Sequence, residues 1–191
     1  RLCHLHLKNL MLRKYNMSEY NINISEIKEY VSCLKAGDRV LLNGTVYTSR
    51  DAAHKRIFQL LDSGEELPFE LKDACIYFAG PTPTPDGMVI GSCGPTTSGR
   101  MDFYSPRLLD LGLRAMIGKG ERNEEVCNAI VKNKAVYFCA IGGAGALYAK
   151  QIKSCEEIAF KDLGCESVKK LELFDFPVIV GIDANGGNLF K

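Results

Sequence analysis

The chain has 191 residues, 46% of them hydrophobic and 25% charged, which is enough to bury one continuous core and too apolar for a disordered or fibrous protein. Its formal net charge is +1. Residues 1–16 hold four of the 24 Lys/Arg and none of the 23 Asp/Glu, so the remainder is mildly acidic and has no overall attraction for nucleic acid.

The leader RLCHLHLKNLMLRKYN interrupts every short apolar stretch with His, Lys or Arg, and no apolar run approaches the roughly 20 residues that cross a bilayer. We therefore expect no membrane span and no secretory signal, with residues 1–16 outside the core and a single domain over 17–191. Tyr20–Ile24 alternates like a strand, and Ser25 is placed to cap a short helix running to Cys33. Arg39–Thr48, interrupted by Asn43-Gly44, reads as a hairpin. Asp51–Ser63 carries Ala53, Ile57, Leu60 and Leu61 at helical spacing and stops near Gly64.

Ala74–Ala79 reads as a buried strand and Met88–Ser92 as another, joined by a loop that three alternate prolines (Pro81, Pro83, Pro85) hold extended. From Gly112 onward the predicted order is strand Ala115–Ile117, helix Asn123–Lys132, strand Ala135–Ile141, a glycine turn, helix Ala144–Lys150, strand Ser154–Phe160 and strand Val178–Asp183. Strands alternating with helices predict an α/β domain with part of its sheet parallel. The early antiparallel-looking strands favour a mixed, layered sheet over a plain doubly wound one.

Eight cysteines would permit four disulfides, yet the closest two, Cys155 and Cys165, are ten residues apart, and several cysteines sit in apolar runs. Buried thiols in a reducing cytoplasm fit that spacing. There is no CxxC and His occurs only at positions 4, 6 and 54, so we expect this chain to bind no zinc or iron–sulfur cluster of its own.

The chemistry concentrates in Gly91–Asp102, where glycines, a proline and hydroxyl side chains follow a strand and end in Arg100-Met101-Asp102. Exposed N–H groups, hydroxyls and a guanidinium in one loop suit a carboxylate or phosphate, although turn-forming and helix-capping would also explain such a composition. Two more cationic places, Ser49–His54 and Gly118–Arg122, fall at predicted strand ends, where α/β proteins hold ligands. His54, one turn into its helix, reads as a packed or capping histidine. Gly142–Ala146 lacks both GxGxxG and GxxxxGK[ST] and reads as a turn that lets a helix pack closely on a strand.

Gly94-Pro95-Thr96-Thr97-Ser98-Gly99-Arg100-Met101-Asp102, with Arg50-Asp51-Ala52-Ala53-His54 before it and Ile117-Gly118-Lys119-Gly120 after it, resembles the beta subunit, or fused C-terminal domain, of class I fumarate hydratases. The tartrate dehydratase beta subunit is similar. The likeness continues through Gly142-Gly143-Ala144 to Asp175–Asp183 and covers roughly residues 20–190. It implies a swivelling β/β/α domain, a cytoplasmic hydro-lyase interconverting fumarate and malate, and a hetero-oligomer in which a partner alpha subunit carries a [4Fe–4S] cluster. It further implies that Arg50, Thr96, Thr97, Arg100 and Lys119 bind the dicarboxylate, that Thr96, Arg100 and Lys119 are catalytic, and that Thr96 is the proton-transfer group. Tartrate as substrate, a non-catalytic anion-binding regulatory domain and a phosphate-handling transferase are the alternatives.

Overall fold

The computed structural model describes residues 18–191, so the expectation for the leader 1–16 lies outside the described residues. In chain order the elements are β1 (Glu19–Asn23), α1 (Ile27–Tyr30), β2 (Arg39–Thr48), α2 (Asp51–Ser63), β3 (Cys75–Tyr77), α3 (Ser105–Asp110), β4 (Ala115–Gly118), α4 (Glu124–Lys132), β5 (Val136–Cys139), α5 (Gly145–Lys150), β6 (Ile152–Ala159) and β7 (Val168–Ile182). Strands β2, β3, β4 and β5 run parallel to one another, and β7 pairs antiparallel with both β5 and β2. The pairing circuit β2-β3-β4-β5-β7 therefore closes on itself. β1 adds parallel to the first half of β2, and β6 adds antiparallel to the first half of β7.

Strand alternation sends side chains to two cores, one on each side of the parallel strands. Cys75, Tyr77, Ala115, Ile117, Val136 and Phe138 point inside the circuit, toward Leu42, Leu171, Phe176 and Val180. Ile76, Phe78, Met116 and Tyr137 point the other way, against Ile57 of α2, Leu108 and Leu109 of α3, and Val126 and Ile130 of α4. The layers are thus sheet on sheet on helix, an α/β layered domain with a mixed sheet. Strands buried on both faces explain the near-continuous apolar runs of β3, β4 and β5.

Several local expectations hold. Helix α2 spans Asp51–Ser63 and ends on Gly64 at φ 72°, the left-handed conformation that glycine adopts without steric cost. The helix expected over Asn123–Lys132 is α4, and the structure adds that Asn123 caps it by accepting the Val126 N–H.

Three expectations are corrected. Arg39–Thr48 is one strand, because Asn43-Gly44 marks a bulge: the register against β7 shifts between Leu42 and Gly44, and the Asn43 side chain accepts the Asp175 N–H at 2.9 Å. Met88–Ser92 is no strand but part of a surface loop whose ends meet, with Thr82 N–H donating to Ser92 O at 3.0 Å and Met88 and Val89 exposed. The cap before the first helical turn is Asn23, not Ser25; its side chain accepts the Ser25 N–H.

Candidate active site

The parallel strands β2, β3, β4 and β5 deliver their carboxyl ends to one edge. Ser49 and Arg50 follow β2, Lys119 follows β4, and the turn Ile141–Ala144 follows β5. The loop leaving β3 at Gly80 returns to the same edge, where Ala79 bridges Pro95 and the Thr96 N–H donates to Phe78 O at 2.7 Å. Thr97 then pairs with Lys119, so the hydroxyl-rich turn lies beside the end of β4.

Ser98 is the buried joint of this arrangement. Its Oγ accepts the Lys119 N–H at 3.0 Å and lies 2.9 Å from Tyr137 Oη, whose other partner is Gly120 O at 2.8 Å. Ser98 N–H donates back to Lys119 O at 2.9 Å. Gly118 is required beneath it: a Cβ there would overlap Ser98 Oγ and sit 2.9 Å from Phe78 Cδ2. We predict that Gly118→Ala costs about 1–3 kcal/mol, read as a lower urea midpoint, and lowers any activity, because relief requires moving the Thr97–Lys119 pairing.

Two of the three predicted basic residues, Arg50 and Arg100, come together through carboxylates. Arg100 Nε donates to Asp51 Oδ1 at 2.8 Å, and a terminal nitrogen of Arg100 meets Asp51 Oδ2 as well. Arg50 Nε lies 3.3 Å from the same Asp51 Oδ2 and 3.3 Å from Glu166 Oε1. Glu166 also accepts the Ala52 N–H at 2.8 Å, which ties it to the first turn of α2. Hydrogen bonds from Arg100, with further help from Arg50, hold the Asp51 carboxyl down to about 2, and the same contact raises Arg100. The half-buried Lys119 side chain runs past Gly142, whose added Cβ would lie 3.6 Å from Nζ. Among the described residues, the Lys119 ammonium, the Thr96 and Thr97 hydroxyls and the terminal nitrogens of Arg50 have no hydrogen-bonding partner.

Arg122, grouped with Lys119 in the sequence, belongs elsewhere. Its buried guanidinium donates to Asp102 Oδ1 and Ser105 Oγ, both at 2.6 Å, and lies over the rings of Phe78 and Tyr137. Asp102 Oδ2 also accepts the Asn123 N–H at 2.8 Å, so this pair fastens the site loop to α4. The glycine turn after β5 packs against the loop rather than against a strand, with Cys93 N–H donating to Gly145 O at 3.1 Å. Sequence reasoning missed Glu166, which reaches α2 from the segment between β6 and β7 and leaves no local signal. It also missed the joint role of Ser98, whose only trace is the hydroxyl-rich loop.

His54 is fully buried, with Nδ1 2.8 Å from Ser49 Oγ and 3.1 Å from Arg50 O, while Nε2 has no partner. Burial, aided by the charge of Arg122, lowers its pKa to about 4. Because that lies below its ordinary value of 6.5, the unfolded chain binds the extra proton first. His54 therefore contributes stability that is complete above about pH 6.5 and drains away as the pH falls to about 4, a loss on the order of 3 kcal/mol. Urea unfolding between pH 7 and pH 4 should show this slope, and His54→Asn should flatten it; an unchanged slope in the variant would assign the acid loss to other groups. Asp51 acts in a lower window, with stability present above about 3.8 and lost toward 2.

Among the described residues no group of three or more His, Cys, Asp or Glu could hold a metal ion, and no helix is long and apolar enough to cross a membrane. Burial pushes the Cys93 thiol up to about 12 and raises Cys75, Cys139 and Cys155, the opposite of what a thiolate ligand needs.

The profile of the family described as Fumarase C-terminus matches residues 5–191. Fumarate hydratase 2 of Leishmania major is 40% identical over 174 residues, covering 88% of this chain and 30% of the relative. The aerobic class I fumarate hydratase of Escherichia coli (strain K12) is 39% identical over 175 residues, 91% of this chain and 32% of the relative. The chain thus spans about a third of the length of these fumarate hydratases. A putative L(+)-tartrate dehydratase subunit beta of Methanocaldococcus jannaschii is 40% identical over 179 residues, and there the match covers 91% of both chains.

Proposed function

Since the chain belongs to the Fumarase C-terminus family of hydro-lyase domains, we propose that it is the beta subunit of a two-subunit hydro-lyase that interconverts fumarate and malate. The observation that carries this reading is the gathering of Arg50, Arg100 and Lys119, with Thr96 and Thr97, at the carboxyl edge of β2, β3 and β4. Two guanidinium groups and an ammonium suit a doubly negative organic acid, with arginine supplying the bidentate geometry.

Dehydrating malate removes a proton from the carbon beside one carboxylate, so a second negative charge builds on that carboxylate as the carbon–hydrogen bond breaks. Fixed cations and N–H donors lower the energy of that state, and the hydroxyl leaves the neighbouring carbon with a proton as water. Arg50, Arg100 and Lys119 are assigned to the carboxylates. Thr96 is assigned to the proton, where its hydroxyl needs activation by neighbouring charge.

Among the described residues, the thiols and the imidazole do not gather into a metal site. The [4Fe–4S] cluster is assigned to a partner alpha subunit, consistent with the third of the fumarate hydratase length that this chain spans. The cytoplasm is the proposed compartment. Tartrate is the second reading, favoured by the match that covers 91% of both this chain and the putative tartrate dehydratase subunit.

The test is anaerobic reconstitution with the partner subunit, followed by fumarate absorbance and a separate oxaloacetate assay with tartrate. Turnover of one diacid only by the mixture is expected. Turnover by this chain alone would overturn the two-subunit reading, and turnover of neither acid would overturn the activity.

A further inference from the structure

Asp51 and Glu166 carry no role in the proposed chemistry, yet both carboxylates sit among its cations. Asp51 engages Arg100 along the Nε edge and Arg50 at Nε, and Glu166 lies 3.3 Å from that same Arg50 Nε while its second oxygen accepts the Ala52 N–H at 2.8 Å. A guanidinium has five N–H donors in a fixed plane. Held by its Nε edge, it keeps terminal N–H groups for an incoming carboxylate.

Gly80 completes the arrangement. A Cβ at that position would come within 3.0 Å of Arg50 Cδ, 3.1 Å of its Nη1 and 3.2 Å of Cys165 O, so the absent side chain makes the channel in which Arg50 lies.

We infer that Asp51 and Glu166 are positioning residues, a carboxylate frame that fixes Arg50 and Arg100 by their Nε edges and so presents their terminal nitrogens to a dicarboxylate. The inference rests on the dicarboxylate reading above. Asp51 stays ionised throughout any working pH range, because its carboxyl is held near 2.

A second role for the same carboxylates makes the opposite prediction. If Asp51 and Glu166 merely dilute the positive charge, removing either should strengthen binding of a dianion. If they position, removal should weaken binding although the site becomes more positive, because small misplacements of binding groups cost on the order of 10- to 100-fold.

The experiment compares Asp51→Asn, Glu166→Gln and Asp51→Glu with the wild type in the assembled enzyme. It measures KM and kcat for the turned-over diacid and the affinity for succinate as a non-reacting probe. Glu166→Gln keeps an oxygen for the Ala52 N–H, and thermal melting of each variant checks folding. A rise of more than fivefold in KM and in the succinate dissociation constant for both neutral variants, with partial recovery in Asp51→Glu, supports the frame.

An unchanged, smaller or reversed effect in folded variants overturns the inference alone, leaving the hydro-lyase reading intact. A wild-type enzyme that neither binds succinate nor turns over either diacid removes the hydro-lyase reading, and this inference falls with it.

Discussion

Replacing Arg100 by Lys in the assembled enzyme is expected to lower kcat/KM by about 100-fold or more while leaving the fold intact. Arg100 is asked to do two things at once: it holds Asp51 through Nε and a terminal nitrogen, and it offers its remaining N–H donors outward. An ammonium is a single point donor and cannot span both tasks. A factor of 100 corresponds to roughly 3 kcal/mol of lost transition-state stabilisation, a plausible share for one bidentate cation on a developing carboxylate charge. Stability should hardly change, because the Arg100–Asp51 pair is open to solvent, with side chains 45% and 38% exposed, and such pairs contribute about 0–1 kcal/mol. Steady-state kinetics beside thermal melting separates the two quantities. Near-normal kinetics would remove Arg100 from the site, and a collapsed melting temperature would make it a structural residue.

The opposite profile is expected for Asp102→Ala. Its partner, Arg122, has a fully buried guanidinium that donates to Asp102 and Ser105 beneath Phe78 and Tyr137. Removing the carboxylate strands a buried cation and frees the Asn123 N–H at the start of α4. Breaking a buried pair in this way costs about 3–5 kcal/mol, a large share of the roughly 5–15 kcal/mol that holds a domain folded. Denaturant unfolding of Asp102→Ala should register that loss. Replacing both partners, Asp102→Leu with Arg122→Met, should recover much of it, since the penalty is the unpaired charge rather than the missing pair. A single variant with wild-type stability would contradict the account of this pair.

The helix over Asp51–Ser63 was legible because its apolar spacing and its terminal Gly64 agree, and α4 was legible as a helix between two apolar strand runs. Both signals are local. Asn43-Gly44 misled because the same dipeptide serves hairpins and bulges, and only the distant Asp175 N–H received by Asn43 decides between them.

The 15-residue strand β7 was read only at its end for a related reason. Asp175 at φ 50° and Pro177 punctuate its sequence, while pairing with β2, β5 and β6 carries the strand through both.

For the site, the hydroxyl-rich loop and the three cationic strand ends were visible as residue types. Their meeting was implied only by the family resemblance and not by spacing, because the β2–β3–β4 register creates it. Lys119 and Arg122 are alike in sequence, and only burial separates an ammonium with no partner among the described residues from a guanidinium locked beneath two rings. Glu166 was invisible, since its contacts with Arg50 and Ala52 are tertiary throughout.

The most direct measurement is a crystal structure of the assembled enzyme with a non-reacting dicarboxylate. The account predicts carboxylate oxygens within hydrogen-bonding distance of Arg50, Arg100 and Lys119, with Thr96 nearest the carbon that would lose its proton. A diacid bound at another face of this chain, with those three side chains still untouched, would contradict it.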